Sequence, residues 1–98
     1  MATYITLGSW TDQGIRSYGN TVDRAEVAGQ LAAKVGVTIK QIYWTLGAYD
    51  LVTILEAADD ESATAFNLAI SSLGNVRTTT MRAFDAAEMR EIVAKAAG

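Results

Sequence analysis

The stretch "VTIKQIYWTLGAYDLVTILEA" (37–57) decides the fold. Residues 37–46 are rich in β-branched and aromatic side chains, and so are residues 50–57. Such runs suit a pleated, half-buried surface better than a helix. Only "GAY" (47–49) separates them, and so short a connection can join two strands only as a hairpin. Gly47 supplies the positive φ or the close backbone approach that such a turn needs. A mid-chain hairpin then takes its remaining strands from the two flanks.

Upstream, "ATYITLGS" (2–9) alternates, with Ile5 and Leu7 on one side and Tyr4 and Thr6 on the other. That period of two predicts a strand. "WTDQGIRSYGN" (10–20) is polar and glycine-interrupted, and predicts a broken or one-turn helix. Asn20 or Thr21 then caps a helix reaching about Val35. Ala28, Leu31, Ala32 and Val35 form its stripe, and Gly36 sits at its C-terminal cap. Downstream, Asp59 or Asp60 opens a helix whose stripe is Ala63, Phe66, Ile70 and Leu73, stopped by Gly74 and Asn75. Acids there suit the positive end of the helix dipole. "VRTTTMRAF" (76–84) predicts a fourth strand, because three successive threonines are stiff at χ1 and favour extended backbone. A last helix begins at "DAAE", a capping box of Asp85 and Glu88, and carries Met89, Ile92, Val93 and Ala96 on one face.

The order β-α-β-β-α-β plus a terminal helix predicts an α+β, ferredoxin-like fold, a four-stranded antiparallel sheet with two helices on one face. At 98 residues the whole chain, 1–98, is expected to form one domain. Half the residues are hydrophobic and 19% are charged, which is the balance of a globular chain. Eleven acids against eight bases leave a net charge of −3 with no basic footprint, so nucleic acid is not an expected partner. Asp59, Asp60 and Glu61 read as a solvated helix start.

There is no cysteine and no histidine. Disulfides, thiolate nucleophiles and cysteine-based metal sites are thereby excluded, as are the usual neutral-pH base and the commonest zinc ligand. No cofactor and no metal are expected. The N-terminus lacks the basic segment and apolar core of a signal peptide, and no apolar run is long enough to cross a bilayer. No membrane partner is expected, and a cytoplasmic address is.

The strands carry apolar residues on both sides. Leu51 and Leu55 oppose Val52 and Ile54, while Ile42, Trp44 and Leu46 oppose Val37, Ile39 and Tyr43. Two helices cover one face only, and the other would leave more apolar surface bare than monomers tolerate. The expectation is a two-fold homodimer with sheets face to face, able to assemble further through edge strands. The alternative is a terminal helix folded back over the open face.

"WTDQG" (10–14), "GAYD" (47–50), "SLGNVRT" (72–78) and "MRAF" (81–84), in that order along nearly the whole chain, resemble the GYD-domain family of small bacterial and archaeal proteins. The resemblance implies a dimeric α+β barrel and assigns no general activity. More distant barrels of that kind include cofactor-independent monooxygenases, isomerases and small-ligand sensors, a link through fold alone.

Candidate site residues are Trp10, Tyr43, Tyr49, Asp50 and Arg82. An aspartate beside a turn commonly accepts backbone N–H groups. The sharper reading makes Asp50 a general base or hydroxyl acceptor oriented by Tyr49. Trp10 and Tyr43 read either as core or interface aromatics or as walls of an apolar pocket. Arg82 needs a carboxylate, Asp50 or Glu56, or else anchors an anionic ligand. Two function classes follow: a homodimeric ligand-binding or accessory module, and a cofactor-independent oxygenase or isomerase acting on a small aromatic or quinone-like molecule. Without histidine or cysteine, the first is preferred.

Overall fold

The computed structural model describes residues 1–98. Strand β1 (Ala2–Trp10) leads to a short helix α1 (Asp12–Arg16) and a 3₁₀ turn (Tyr18–Asn20). Helix α2 (Thr21–Lys34), strands β2 (Val37–Trp44) and β3 (Leu51–Ala57), helix α3 (Asp60–Ser72), strand β4 (Val76–Ala83) and helix α4 (Ala86–Ala97) follow. The sheet order is β2-β3-β1-β4, with every neighbouring pair antiparallel. This is the expected ferredoxin-like arrangement, with α2 and α3 together on one face.

The helix boundaries follow from their caps. Asp59 accepts the Ser62 N–H at 2.8 Å and opens α3. Asp85 and Glu88 close a full capping box on α4. Gly36 and Gly74 take φ of 75° and 84° just past α2 and α3, a conformation that only glycine adopts freely.

The hairpin differs from its expected length. Strand β2 stops at Trp44 and β3 begins at Leu51, so the connection runs 45–50, twice the expected span. Thr45 donates its N–H to the Asp50 carbonyl at 2.9 Å and its hydroxyl to the Tyr49 carbonyl at 2.6 Å. That closure lifts residues 46–49 off the ladder, with Gly47 at φ 132° and Leu46 fully exposed.

The expected face split of β2 is also corrected. The β2–β3 register shifts between Ile39 and Gln41. This bulge turns Ile42 and Trp44 onto the same side as Val37 and Ile39 and leaves Tyr43 on the opposite side. The helix-covered face therefore gathers Val37, Ile39, Ile42 and Trp44 over Leu51 and Leu55.

The core sits at one end of that face. Tyr4, Ala32, Val37, Leu55, Ala57, Ala63 and Phe66 form one buried cluster, with Leu55 wholly inaccessible. The opposite face bears Ile5, Leu7, Val52, Ile54 and Met81, and no element covers it. Helix α4 does not fold back onto it. Apart from a half-buried Glu88, every residue of α4 is exposed, including Met89, Ile92 and Val93.

Candidate functional site

Between the sheet and helices α2 and α3, at the end away from the core, lies a cleft of about 100 Å³. Its existence follows from sequence. On the helix-covered face, the core end carries Tyr4, Leu55 and Val37. Two to four residues further along, β1 and β3 carry Thr6, Gly8 and Thr53, and the neighbouring β4 carries Thr78. Small and hydroxylated side chains cannot fill the space that α2 and α3 span, so the floor stays low. Trp10 and Leu51 close the end, and Phe66 and Ala28 form the helix side.

Hydrogen bonds tie the rim of the cleft together. Thr11 donates its N–H to the Asn75 carbonyl at 3.0 Å and its hydroxyl to the Gly74 carbonyl at 2.6 Å. The same hydroxyl oxygen accepts the Gly14 N–H at 3.1 Å and caps α1. Gln13 Nε2 donates to the Leu73 carbonyl at 3.1 Å and to Asn75 Oδ1 at 2.9 Å. Gly14 lies so close to this loop that a Cβ there would stand 2.0 Å from the Asn75 oxygen. "TDQG" and "LGN", about sixty residues apart in the chain, thus form one latch.

Asp50 belongs to the same end. Its Oδ2 accepts the Trp10 N–H at 2.9 Å, and its own N–H donates to the Gly8 carbonyl at 2.8 Å. The carboxylate continues the ladder past the end of β3 and fixes the backbone that carries the Trp10 indole. Tyr49 is 39% exposed on the hairpin and Tyr43 is 52% exposed. Trp10 lines the cleft, whereas Tyr43 lies on the uncovered face, so the two do not wall one pocket.

Arg82 sits at the other end of the sheet. It opposes Tyr4, whereas Trp10 lies six residues further along β1, roughly 20 Å away at the strand rise. Its partner is neither Asp50 nor Glu56. It pairs with Glu88 at 3.4 Å, stacks 4.4 Å from the Phe84 ring and 5.8 Å from the Tyr4 ring, and donates to the Thr3 carbonyl at 3.3 Å. Glu56 instead faces Lys40 at 3.8 Å. Asp50 and Arg82 therefore do not converge on one small molecule within the chain.

Beside Arg82, the buried Tyr4 hydroxyl donates to the Asp60 carboxylate. That bond first, and then burial, push the Tyr4 phenol up to about 12. Asp59 is held below the usual carboxylate range by the Ser62 hydrogen bonds. No group of three or more histidine, cysteine, aspartate or glutamate side chains comes together to hold a metal ion. No helix is long and apolar enough to cross a membrane.

Sequence reasoning named Trp10 but missed the rest of the cleft: Thr6, Gly8, Thr53, Phe66, Asn67 and Thr78. A signal was present. Threonine and glycine recur on the covered side of three strands, where a filled core would carry branched aliphatics.

Residues 4–93 match the sequence model described as the GYD domain. A protein of Thermus thermophilus, named glutamine synthetase and cystathionine β-lyase binding protein, is 33% identical over 90 residues, which span 91% of this chain and 95% of that protein. A crystal structure of a Thermus thermophilus protein superposes with a TM-score of 0.57 at 27% identity, covering 88% of this chain and 96% of that one. A hypothetical protein of Pyrococcus horikoshii gives a TM-score of 0.57 at 24% identity, over 87% and 92% of the two chains, a likeness of fold alone.

Proposed function

The chain belongs to the GYD-domain family, and from that premise we propose that it is a homodimeric accessory protein that binds other proteins. One observation carries this reading: the chain exposes more surface than its mass allows a finished monomer. A compact monomer of this mass, 10.4 kDa, exposes about 5,400 Å². This chain exposes 6420 Å², an excess close to the roughly 800 Å² that each partner buries in a standard interface. Its radius of gyration of 14.8 Å likewise exceeds the value of about 13 Å for a compact chain of this length.

Two apolar surfaces are left without a covering layer. The uncovered sheet face, with Ile5, Leu7, Val52, Ile54 and Met81 at its centre, suits sheet-on-sheet packing against a second copy at about 10 Å. Helix α4 has Met89, Ile92 and Val93 exposed, with Glu88, Arg90, Glu91 and Lys95 interspersed along it. An amphipathic helix of that kind is recognised by an apolar groove on a partner. The relative named as a binding protein of two enzymes supports the accessory role.

The test uses the purified full chain with glutamine synthetase and cystathionine β-lyase of its own organism. Light scattering after size exclusion reports the mass of the chain alone and then mixed with each enzyme. A dimer that co-migrates with either enzyme, and ceases to do so when residues 86–98 are removed, is the expected result. A 10.4 kDa monomer at micromolar concentration, or no co-migration with either enzyme, overturns it.

A further inference from the structure

We infer that the cleft at the Trp10 end is a binding site for a small neutral molecule, one six-membered ring bearing a hydroxyl group. The site is separate from the two surfaces assigned to protein contacts.

Size sets the first limit. The cleft holds about 100 Å³, whereas an apolar cavity on the order of 150 Å³ encloses a benzene molecule. The cleft is smaller than that, so it takes at most one ring, with part of the ring left at the opening. The walls set the second limit. Trp10 and Phe66 supply aromatic surface, and Leu51, Ile42 and Ile70 supply aliphatic surface. Such walls favour a flat apolar body.

The polar groups choose the substituent. Thr6 and Thr80 share a hydrogen bond at 2.9 Å, and Asn67 Nδ2 donates to Thr80 at 2.7 Å, which leaves the Asn67 carbonyl oxygen free to accept. Thr53 and Thr78 line the floor, and their hydroxyls bond to no protein group. The Trp10 indole N–H is buried with no acceptor. Buried polar groups are normally satisfied, so the Trp10 N–H, the one buried side-chain group without a partner, calls for an acceptor. Unpartnered hydroxyls, a free amide oxygen and a spare N–H together suit a group that both donates and accepts, as a phenolic hydroxyl does.

Charge gives an acid no dedicated clamp. Arg24 is the single ionisable side chain along the cleft, and its guanidinium is committed to the Ser17 carbonyl at 2.9 Å and the Gly14 carbonyl at 3.2 Å. It holds α1 and the 3₁₀ turn in place and does not serve as an anion clamp.

Phenol, toluene and benzoate are the probes, followed by amide and indole chemical shifts of the ¹⁵N-labelled full chain. Phenol is expected to move Gly8, Thr53, Thr78 and the Trp10 indole signal, and to bind about fivefold more tightly than toluene, the worth of one neutral hydrogen bond. The isosteric pair Thr53→Val and Thr78→Val should bring phenol down to the toluene level without changing the melting temperature. Ala25→Leu, at the cleft wall, should weaken both neutral probes. Equal affinity for phenol and toluene in the unaltered chain overturns the inference. So does tighter binding of benzoate, or shifts that map to α4 or the uncovered sheet face.

Discussion

The two faces of this sheet are built the wrong way round for a lone molecule. The face that the chain's own helices cover is packed at one end and at the other carries Thr6, Gly8, Thr53 and Thr78 around a cleft. The face left bare has Ile5, Leu7, Val52, Ile54 and Met81 across its centre. Hydrophobic burial scales with apolar area removed from water, so a self-sufficient monomer would do the reverse. The difference separates two tasks. Under the proposed function the bare face is the surface that meets a second copy, and under the further inference the underfilled covered face is the one that holds a ligand.

The largest effect should come from placing a charge on the bare face. Ile54→Arg, whose neighbour across the ladder is Ile5, should halve the mass seen by native mass spectrometry, from twice 10.4 kDa to 10.4 kDa, with the far-ultraviolet spectrum unchanged. A dimer that survives this substitution would break the comparison. Next comes the packed end of the covered face. Leu55 is wholly buried, and Leu55→Ala should cost about 2–5 kcal/mol in urea unfolding, the usual loss for truncating a buried leucine. Gly14→Ala drives a methyl group into the Asn75 carbonyl and should cost about 1–3 kcal/mol, typical of overpacking. It should also disturb the Trp10 indole signal, since the latch sets the rim of the cleft.

A pH effect ranks below these. Tyr4 titrates at about 12 in the folded chain, against an ordinary value of 10.0. The folded state thus holds the phenol proton more tightly than the unfolded chain does. Its contribution to stability is complete below pH 10 and is lost as pH rises from there through about 12. Tyr4→Phe should flatten that decline in a series of denaturation midpoints. The smallest effect should come from the cleft floor. Thr53→Val removes a hydroxyl with no protein partner and keeps its shape, so stability should stay within about 0.5 kcal/mol. A large loss would mean that the hydroxyl already serves the fold, and the contrast between the faces would weaken.

Much of this architecture was legible from local chemistry. The capping box of Asp85 and Glu88, the Asp59 cap, the glycine stops at 36 and 74 and the mid-chain hairpin all appear where the residues place them. What escaped depends on contacts between distant segments. The bulge beside Lys40 changes which β2 side chains share a face, and no period in the sequence announces a skipped residue. The latch of Thr11, Gln13 and Gly14 on 73–75 joins segments about sixty residues apart, each of which reads alone as an ordinary turn. Asp50 was placed at the hairpin, but its acceptor role toward Trp10 required the sheet to bring β1 alongside. The cleft was hidden because threonine and glycine in a strand suggest an exposed side until the helices are laid over them.

The strand order has a consequence in time. The earliest made of these four strands, β1, is an inner strand of the sheet, and its final neighbour is β4: Thr6 meets Thr80 across 74 residues of chain. Pairings of such long range form late, because the loop they close must first be ordered. Until then Ile5 and Leu7 have neither a flanking strand on the β4 side nor an opposing layer. For the dimer proposed above, the interval before association is then the period of greatest exposure to misassembly, and refolding yield should depend on how quickly a second copy arrives.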